Sequence, residues 1–144
     1  MGIIKDYNPI VVTGASGFIG KCAVSRLLKD GYEIHLLLRP ESNMWRLQDV
    51  INQVTVHQVD LRDKAGVRKA LEIIRPKAVL HLATHGAYEW EVDERRILET
   101  NVLGSFNILE AAIAVRTQIF INAGSSSEYG YRSQPMSEIG RAHV

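Results

Sequence analysis

The sequence predicts a protein of the α/β class, with a doubly wound parallel sheet of about five strands. Short apolar segments rich in β-branched residues alternate with longer amphipathic segments, as in strands joined by crossover helices. The predicted strands are largely apolar, which is typical of a parallel sheet covered by helices on both faces. Because such crossovers are right-handed, we expect the strand order 3-2-1-4-5.

The predicted strands are bounded by turn residues and by the helical segments between them. The first strand is a β-branched run that ends at Gly14, and the last strand follows the longest helical segment. The five strands cover residues 10–13, 33–38, 54–59, 78–82 and 118–122.

Apolar residues at helical spacing follow the first strand and recur between the third and fourth strands. The first helix continues to Gly31, which ends it. The helix before the fourth strand covers residues 63–74, with Asp63 as its N-cap and Pro76 marking its end. Two further helical segments are expected, at residues 42–50 and 90–116.

Length and composition limit the classes of function. The chain has 144 residues, 46% of them hydrophobic, which suits one domain over 1–144 with 124–144 mostly in loops. A net charge of +1 gives no sign of a nucleic-acid surface, and the single cysteine, Cys22, excludes an internal disulfide. No apolar run approaches the roughly 20 residues of a membrane helix, and none near the start resembles a secretory signal. We therefore expect a cytoplasmic protein without nucleic-acid or membrane partners.

A glycine motif, G-x-x-G-x-x-G, stands directly after the first strand and leads into the first helix. In this position Gly14 allows a tight turn, Gly17 lets the backbone approach a pyrophosphate, and Gly20 lets the helix pack closely on the strand. The helix N-terminus offers unpaired N–H groups to the anion. The motif therefore predicts a Rossmann-like, dinucleotide-binding fold, with a glycine turn that holds no ligand as the alternative.

The end of the second strand indicates which dinucleotide is bound. Sites for NAD usually carry an acidic residue there for the ribose 2′-hydroxyl, whereas this chain has Arg39. A guanidinium can pair with the 2′-phosphate of NADP, and Ser42 and Arg46 are close enough in sequence to assist. NADP is therefore the expected cofactor. NAD is the second choice, because Glu41 follows closely and Arg39 could instead be a solvated surface residue.

Five segments, in order, give the chain a resemblance to the extended short-chain dehydrogenase/reductase family, the NAD(P)-dependent nucleotide-sugar epimerases and dehydratases. The match to the long central helix is the most specific of the five, and the resemblance covers residues 10–138. The segments are TGASGFIG at 13–20, VDLRD at 59–63, HLA at 81–83, NVLGSFNILEAA at 101–112 and SSSEYG at 125–130.

The resemblance implies a role for each matching segment. The adenine would lie against Asp60, the nicotinamide ribose near Ala83 and Thr84, and the reacting substrate oxygen would bond to Ser126, with Ser125 as the alternative. A nucleotide sugar is the implied substrate. Together with the glycine motif and Arg39, the expected cofactor-binding residues are Gly14, Ser16, Gly17, Phe18, Ile19, Gly20, Arg39, Asp60, Leu61, Ala83 and Thr84.

One part of the family pattern is missing. The family carries a Tyr-x-x-x-Lys pair after the serine motif, in which the lysine and the cofactor lower the pKa of the tyrosine that serves as general acid or base. This sequence has no such pair and no lysine after Lys77. We find no resemblance to the family pattern in residues 139–144. We therefore expect a truncated domain without the substrate domain, which binds the cofactor and is catalytically incompetent alone.

Two alternatives remain open at this stage. One is an active epimerase, dehydratase or oxidoreductase whose missing groups come from another chain or from Tyr129 or Tyr131. The other is a structural or interaction protein with an empty cofactor cleft. A metal site is not expected, because His81 and His85 lie at a strand end and a loop without a further ligand pattern.

The helical segment 90–116 carries apolar residues on two sides. The stripe of Ile97, Gly104, Ile108 and Ala112 can pack on the sheet. A second stripe consists of Leu98, Val102, Phe106, Leu109 and Ile113, and in the family this side looks toward the tyrosine helix and a partner subunit. We expect a homo-oligomer through this helix, with Phe106 and Leu109 in the contact.

Overall fold

A computed structural model describes residues 4–86 and 92–125, and a parallel sheet lies at its centre. The strands are β1 (Ile10–Thr13), β2 (Ile34–Leu38), β3 (Thr55–Gln58), β4 (Ala78–His81) and β5 (Ile119–Asn122). Their order is β3-β2-β1-β4-β5, and every neighbouring pair is parallel. The expected fold class and strand order are confirmed.

The helices lie between the strands, as the alternating pattern predicts. They are α1 (Phe18–Lys29), α2 (Lys64–Ile74), α3 (Glu94–Leu98) and α4 (Ser105–Ala114). The predicted cap of α2 is confirmed, because the Asp63 carboxylate accepts a hydrogen bond from the Gly66 N–H at 3.1 Å. The chain after Ile74 leaves the helix through Arg75, which has a positive φ of 50°.

Two expectations about helices are corrected. Residues 42–50 do not form a helix of that extent, and short 3₁₀ turns occur instead at Trp45–Leu47 and Ile51–Gln53. The buried Leu47 and Val50 anchor this segment to the sheet, so tertiary packing overrides the local helical spacing. The described part of the 90–116 segment is also interrupted, because a π-helical turn, Glu99–Gly104, separates α3 from α4.

Apolar layers cover the two faces of the sheet. Neighbouring residues Val11 and Val12 point to opposite faces, as the pleat of a strand requires. On one face Val11 packs with α2 and α4, where Leu71 and Ile108 are fully buried. On the other face Val12 packs with α1 and with Leu47. Full burial of each large side chain contributes about 1.5–3 kcal/mol, so both layers stabilise the sheet that carries the cleft.

A buried polar network joins β1, β4 and α4. The Thr13 hydroxyl accepts hydrogen bonds from the N–H groups of Leu82 and Ala83, each at 3.2 Å. Since both lone pairs are used, Thr13 donates its proton to His81 Nδ1, at 2.7 Å. The other ring nitrogen, Nε2, therefore carries the proton of His81 and donates it to Ser105 Oγ at 2.8 Å.

This network needs a neutral histidine. His81 is only 2% exposed, and burial lowers its pKa from 6.5 to about 4. Protonation at Nδ1 would remove the acceptor for the Thr13 hydroxyl. The network therefore fixes the turn after β4 only while His81 is uncharged.

The first prediction concerns stability against pH. Because the pKa of His81 is depressed in the folded state, its contribution is present above pH 6.5 and is lost as pH falls toward 4. We expect up to about 3 kcal/mol of the unfolding free energy to be lost over this range through His81. His81→Asn keeps an acceptor for Thr13 and binds no proton, so urea unfolding should show a shallower pH dependence for the variant. If the difference in unfolding free energy between wild type and His81→Asn were the same at every pH, this account would be contradicted.

Candidate functional site

A cleft of about 270 Å³ opens at the carboxyl ends of β1, β2 and β4, the edge at which parallel sheets place ligands. Most of the expected cofactor-binding residues line it, and they come from four separate segments of the chain. Those lining the cleft are Gly14, Ser16, Gly17, Arg39, Asp60, Leu61, Ala83 and Thr84.

The glycine turn is packed too closely for side chains at two of its positions. Gly14 has a φ of +68°, and a Cβ there would lie 2.6 Å from the backbone of Leu82 and Ala83. A Cβ on Gly20 would lie 2.2 Å from the Gly14 carbonyl oxygen. Gly20 is buried beneath the turn and does not line the cleft, as expected of a residue that brings helix and strand together.

The N-terminus of α1 faces this cleft without a side-chain cap. Gly17 is the N-cap, with φ of −75° and ψ of 170°, and the first turn contains no acidic residue. The N–H groups of that turn are therefore available to an anion. Phe18 and Ile19 are 75% and 69% exposed and do not line the cleft, so any part they play in binding falls to their backbone.

The Asp60 side chain is held in place after β3. Arg62 donates to its two carboxylate oxygens, with distances of 3.1 Å from Nε and 2.7 Å from Nη2. These bonds lower the pKa of Asp60, and the charge of Arg39 adds to the effect. Asp60 therefore presents an ionised carboxylate at the wall of the cleft.

Arg39 and Ser42, the residues expected to face a 2′-phosphate, both line the cleft. Arg39 lies beside Glu41, with 3.6 Å between its Nη1 and the Glu41 Oε1. Arg46, which was expected to assist, lies over the Trp45 ring, 4.2 Å from its centroid, and is not among the residues that line the cleft. The stacking directs that guanidinium elsewhere.

The loop after β4 is fixed by a residue to which sequence reasoning gave no role. The Asn101 side chain accepts a hydrogen bond from the His85 N–H at 2.8 Å and donates one to the His85 carbonyl at 2.7 Å. It thereby holds the backbone next to Thr84, a residue of the cleft wall. The available signal was an amide side chain among the apolar residues of this helix, and for the buried network it was the polar Thr13 and His81 in buried strands.

The structure describes only part of the expected catalytic motif. Ser125 is exposed and follows β5 at the carboxyl edge of the sheet. Ser126, Tyr129 and Tyr131 lie outside residues 4–86 and 92–125. The expected catalytic role of Ser126, or of Ser125, stays a prediction.

Within residues 4–86 and 92–125, no group of three or more His, Cys, Asp or Glu side chains is placed to hold a metal ion. No helix in those ranges has the length and apolar character needed to cross a membrane.

Comparison with curated proteins gives relatives that match most of this chain in sequence. A GDP-mannose 4,6 dehydratase of Arabidopsis thaliana is 30% identical, with 98% of this chain and 44% of the relative covered. A probable UDP-glucuronate 4-epimerase of Rhizobium meliloti is 28% identical over 92% of this chain and 42% of its own length. The chain thus spans less than half the length of these relatives.

Solved structures agree with the sequence matches. The UDP-glucose 4-epimerase of Thermus thermophilus, in complex with NAD, is 34% identical with a TM-score of 0.68, over 77% of this chain and 35% of that one. The UDP-glucose 4-epimerase of Thermotoga maritima, with UDP-glucose, is 26% identical with a TM-score of 0.77, over 88% and 41%. The family model for the NAD dependent epimerase/dehydratase family matches residues 10–141. The chain therefore belongs to the NAD-dependent epimerase/dehydratase family.

Proposed function

We propose that this chain binds NADP, with NAD as the second choice, in the cleft at the carboxyl edge of the sheet. The observation that carries the proposal is the uncapped N-terminus of α1, which meets the cleft at Gly17. Glycine at this point leaves room for a pyrophosphate to reach the backbone N–H groups. The complex of the related Thermus thermophilus epimerase with NAD supports the same ligand class.

The cleft wall provides groups for each part of the dinucleotide. The pyrophosphate would lie on the glycine turn, with the adenine near Asp60 and Leu61. Arg39 would face the 2′-phosphate, which gives NADP its preference over NAD. The nicotinamide ribose would lie near Ala83 and Thr84. The Thr13 hydroxyl holds the Ala83 N–H, and the Asn101 side chain holds the backbone of the adjacent His85. Residues 1–144 form one domain in this proposal.

The second prediction tests binding at the glycine turn. Gly17→Val should weaken NADPH and NADH by at least about tenfold in fluorescence titrations, because the side chain fills the approach to the helix N-terminus. The backbone angles of Gly17 suit any residue, but a Cβ there would lie 3.3 Å from the Gly14 carbonyl oxygen, so we expect a loss of about 1–2 kcal/mol in unfolding free energy and a variant that still folds. Ala65→Val, an exposed position at the start of α2, is the matched control. Unchanged affinity in Gly17→Val, or wild type that fails to saturate at about millimolar cofactor, would refute the proposal.

We propose further that the 144 residues act on a nucleotide sugar only with groups from elsewhere. The bound nicotinamide would supply hydride exchange, and Ser126, or Ser125, would hydrogen-bond the reacting oxygen. The sequence carries no Tyr-x-x-x-Lys pair to move the substrate proton. UDP-linked, GDP-linked and dTDP-linked sugars are the class indicated by the relatives' names.

The third prediction is that the chain alone gives no turnover above background. Loss of a positioned general acid or base costs about 10² to 10⁴ in rate, and poor substrate positioning adds to it. Purified chain should leave UDP-glucose, GDP-mannose and dTDP-glucose unchanged with NADP or NAD, as followed by NMR of the sugar. Turnover that survives re-purification and is lost in Ser126→Ala would show the proposal to be wrong.

We also propose that the chain forms a homodimer or larger oligomer through α4 and the preceding turns. The second apolar stripe is exposed along its whole length, with Phe106 at 57% and Leu109 at 39%. The remaining members, also exposed, are Leu98, Val102 and Ile113. Full burial of a large apolar side chain contributes about 1.5–3 kcal/mol, so covering five partly exposed ones favours association over its entropic cost.

The fourth prediction separates this face from other exposed apolar residues. Phe106→Glu should shift the wild-type oligomer to monomer in sedimentation at about tens of micromolar, because a carboxylate would be buried unpaired. Ile73→Glu places the same charge on an exposed residue of α2 and should leave the oligomer intact. A monomeric wild type, or an oligomer that tolerates Phe106→Glu, would contradict the proposal.

A further inference from the structure

Glu41 lies among arginine side chains beside Arg39, which lines one end of the cleft together with Ser42. Glu41 and Arg96 contact this arginine cluster from outside the residues that line the cleft. Its Oε1 atom is 3.2 Å from Arg96 Nη2 and 3.6 Å from Arg39 Nη1. The pKa of Arg62 is raised mainly by its hydrogen bond to Asp60, and Glu41 contributes to the same shift. One carboxylate thus neutralises guanidinium groups from separate segments of the chain.

The geometry marks an anion position. A single carboxylate oxygen is shared by Arg39, which follows β2, and Arg96, which lies on α3. Arg96 also has a buried Nε with no hydrogen-bond partner among the described residues. A single carboxylate does not use all the donors that two guanidinium groups provide. A larger anion with three acceptor oxygens would use more of them.

We propose that Glu41 competes internally with the 2′-phosphate of NADP for Arg39 and Arg96, and so sets the selectivity between NADP and NAD. This inference rests on the proposed dinucleotide binding and adds two specificity-determining residues to it. The phosphate carries about −1.5 to −2 charge, against −1 for a carboxylate, and forms bidentate pairs with guanidinium groups. Glu41 is an exposed loop residue, so it can leave the position when the phosphate enters. NAD has no such group and leaves the Glu41 pairs intact.

Glu41→Gln tests the competition directly. The variant should bind NADPH about tenfold more tightly than wild type, while NADH affinity changes by less than about twofold. Glu72→Gln is the matched control, because Glu72 accepts a hydrogen bond from Arg68 at 2.9 Å on α2 and does not line the cleft. An unchanged ratio of NADPH to NADH affinity in Glu41→Gln would overturn the inference.

Arg96→Gln tests the second guanidinium. The variant should bind NADPH about tenfold more weakly than wild type, and its affinity for NADH should change by less than about twofold. Its unfolding midpoint should stay near that of wild type. An equal loss for both cofactors would overturn the role of Arg96. Adenosine 2′,5′-bisphosphate, compared with adenosine 5′-monophosphate, probes the adenine end alone.

The adenosine probes separate the two proposals. If neither dinucleotide binds but the bisphosphate responds to Glu41→Gln as NADPH was expected to, the anion position stands and the proposed function fails. If both dinucleotides bind and no ligand distinguishes the Glu41 variant from wild type, the proposed function stands and this inference fails.

Discussion

The close approach of the glycine turn to the end of β4 is the constraint on which the cleft depends. The Gly14 backbone contacts Leu82 and Ala83 so tightly that no side chain fits between them. The adjacent Thr13 hydroxyl bonds to the N–H groups of the same two residues. Packing and hydrogen bonding therefore both hold the glycine turn against the backbone that follows β4. Together they set the distance between the N-terminus of α1 and the Ala83 side of the cleft. Gly20 extends this constraint to α1 by contacting the Gly14 carbonyl.

Opposite charges alternate around the far end of the cleft. Asp60 is paired with Arg62, and Arg62 in turn lies 3.7 Å from Glu99. Glu41 likewise forms ion pairs with Arg39 and Arg96. Such pairs contribute little to stability where they are exposed. In our proposal, an anionic ligand replaces the Glu41 carboxylate as the partner of these guanidinium groups. The pairing of acidic with basic side chains here matches the near-equal numbers of the two in the chain, whose net charge is +1.

The local signals in the sequence were sufficient for the sheet and for the start of α2. The strand order follows from short apolar strands and right-handed crossovers, and the cap at Asp63 from its position alone. The glycine turn could be placed because its spacing and its neighbours form one continuous segment.

Other features depend on contacts that a linear pattern does not contain. Thr13 and His81 meet across two neighbouring strands although they are far apart in sequence. Arg46 lies near Arg39 in sequence, yet its stacking on Trp45 removes it from the cleft. The segment 42–50 has helical spacing, but its buried residues pack on the sheet through 3₁₀ turns. Tertiary packing decides the first and the last of these cases, whereas the Arg46 position follows from a contact with its neighbour in sequence.

The π-helical turn between α3 and α4 determines which way the side chains of α3 point relative to those of α4. Such a turn holds one residue more than an α-helical turn, and each residue rotates the helix by about 100°. Arg96 lies before the turn and Ile108 after it, so the extra residue relates the Arg96–Glu41 pair to the core of the domain. Deletion of one of the uncharged residues of this turn would leave α4 on the sheet and rotate α3 away from Glu41. Loss of a single uncharged residue would thus separate Arg96 from Glu41 without changing any charged side chain.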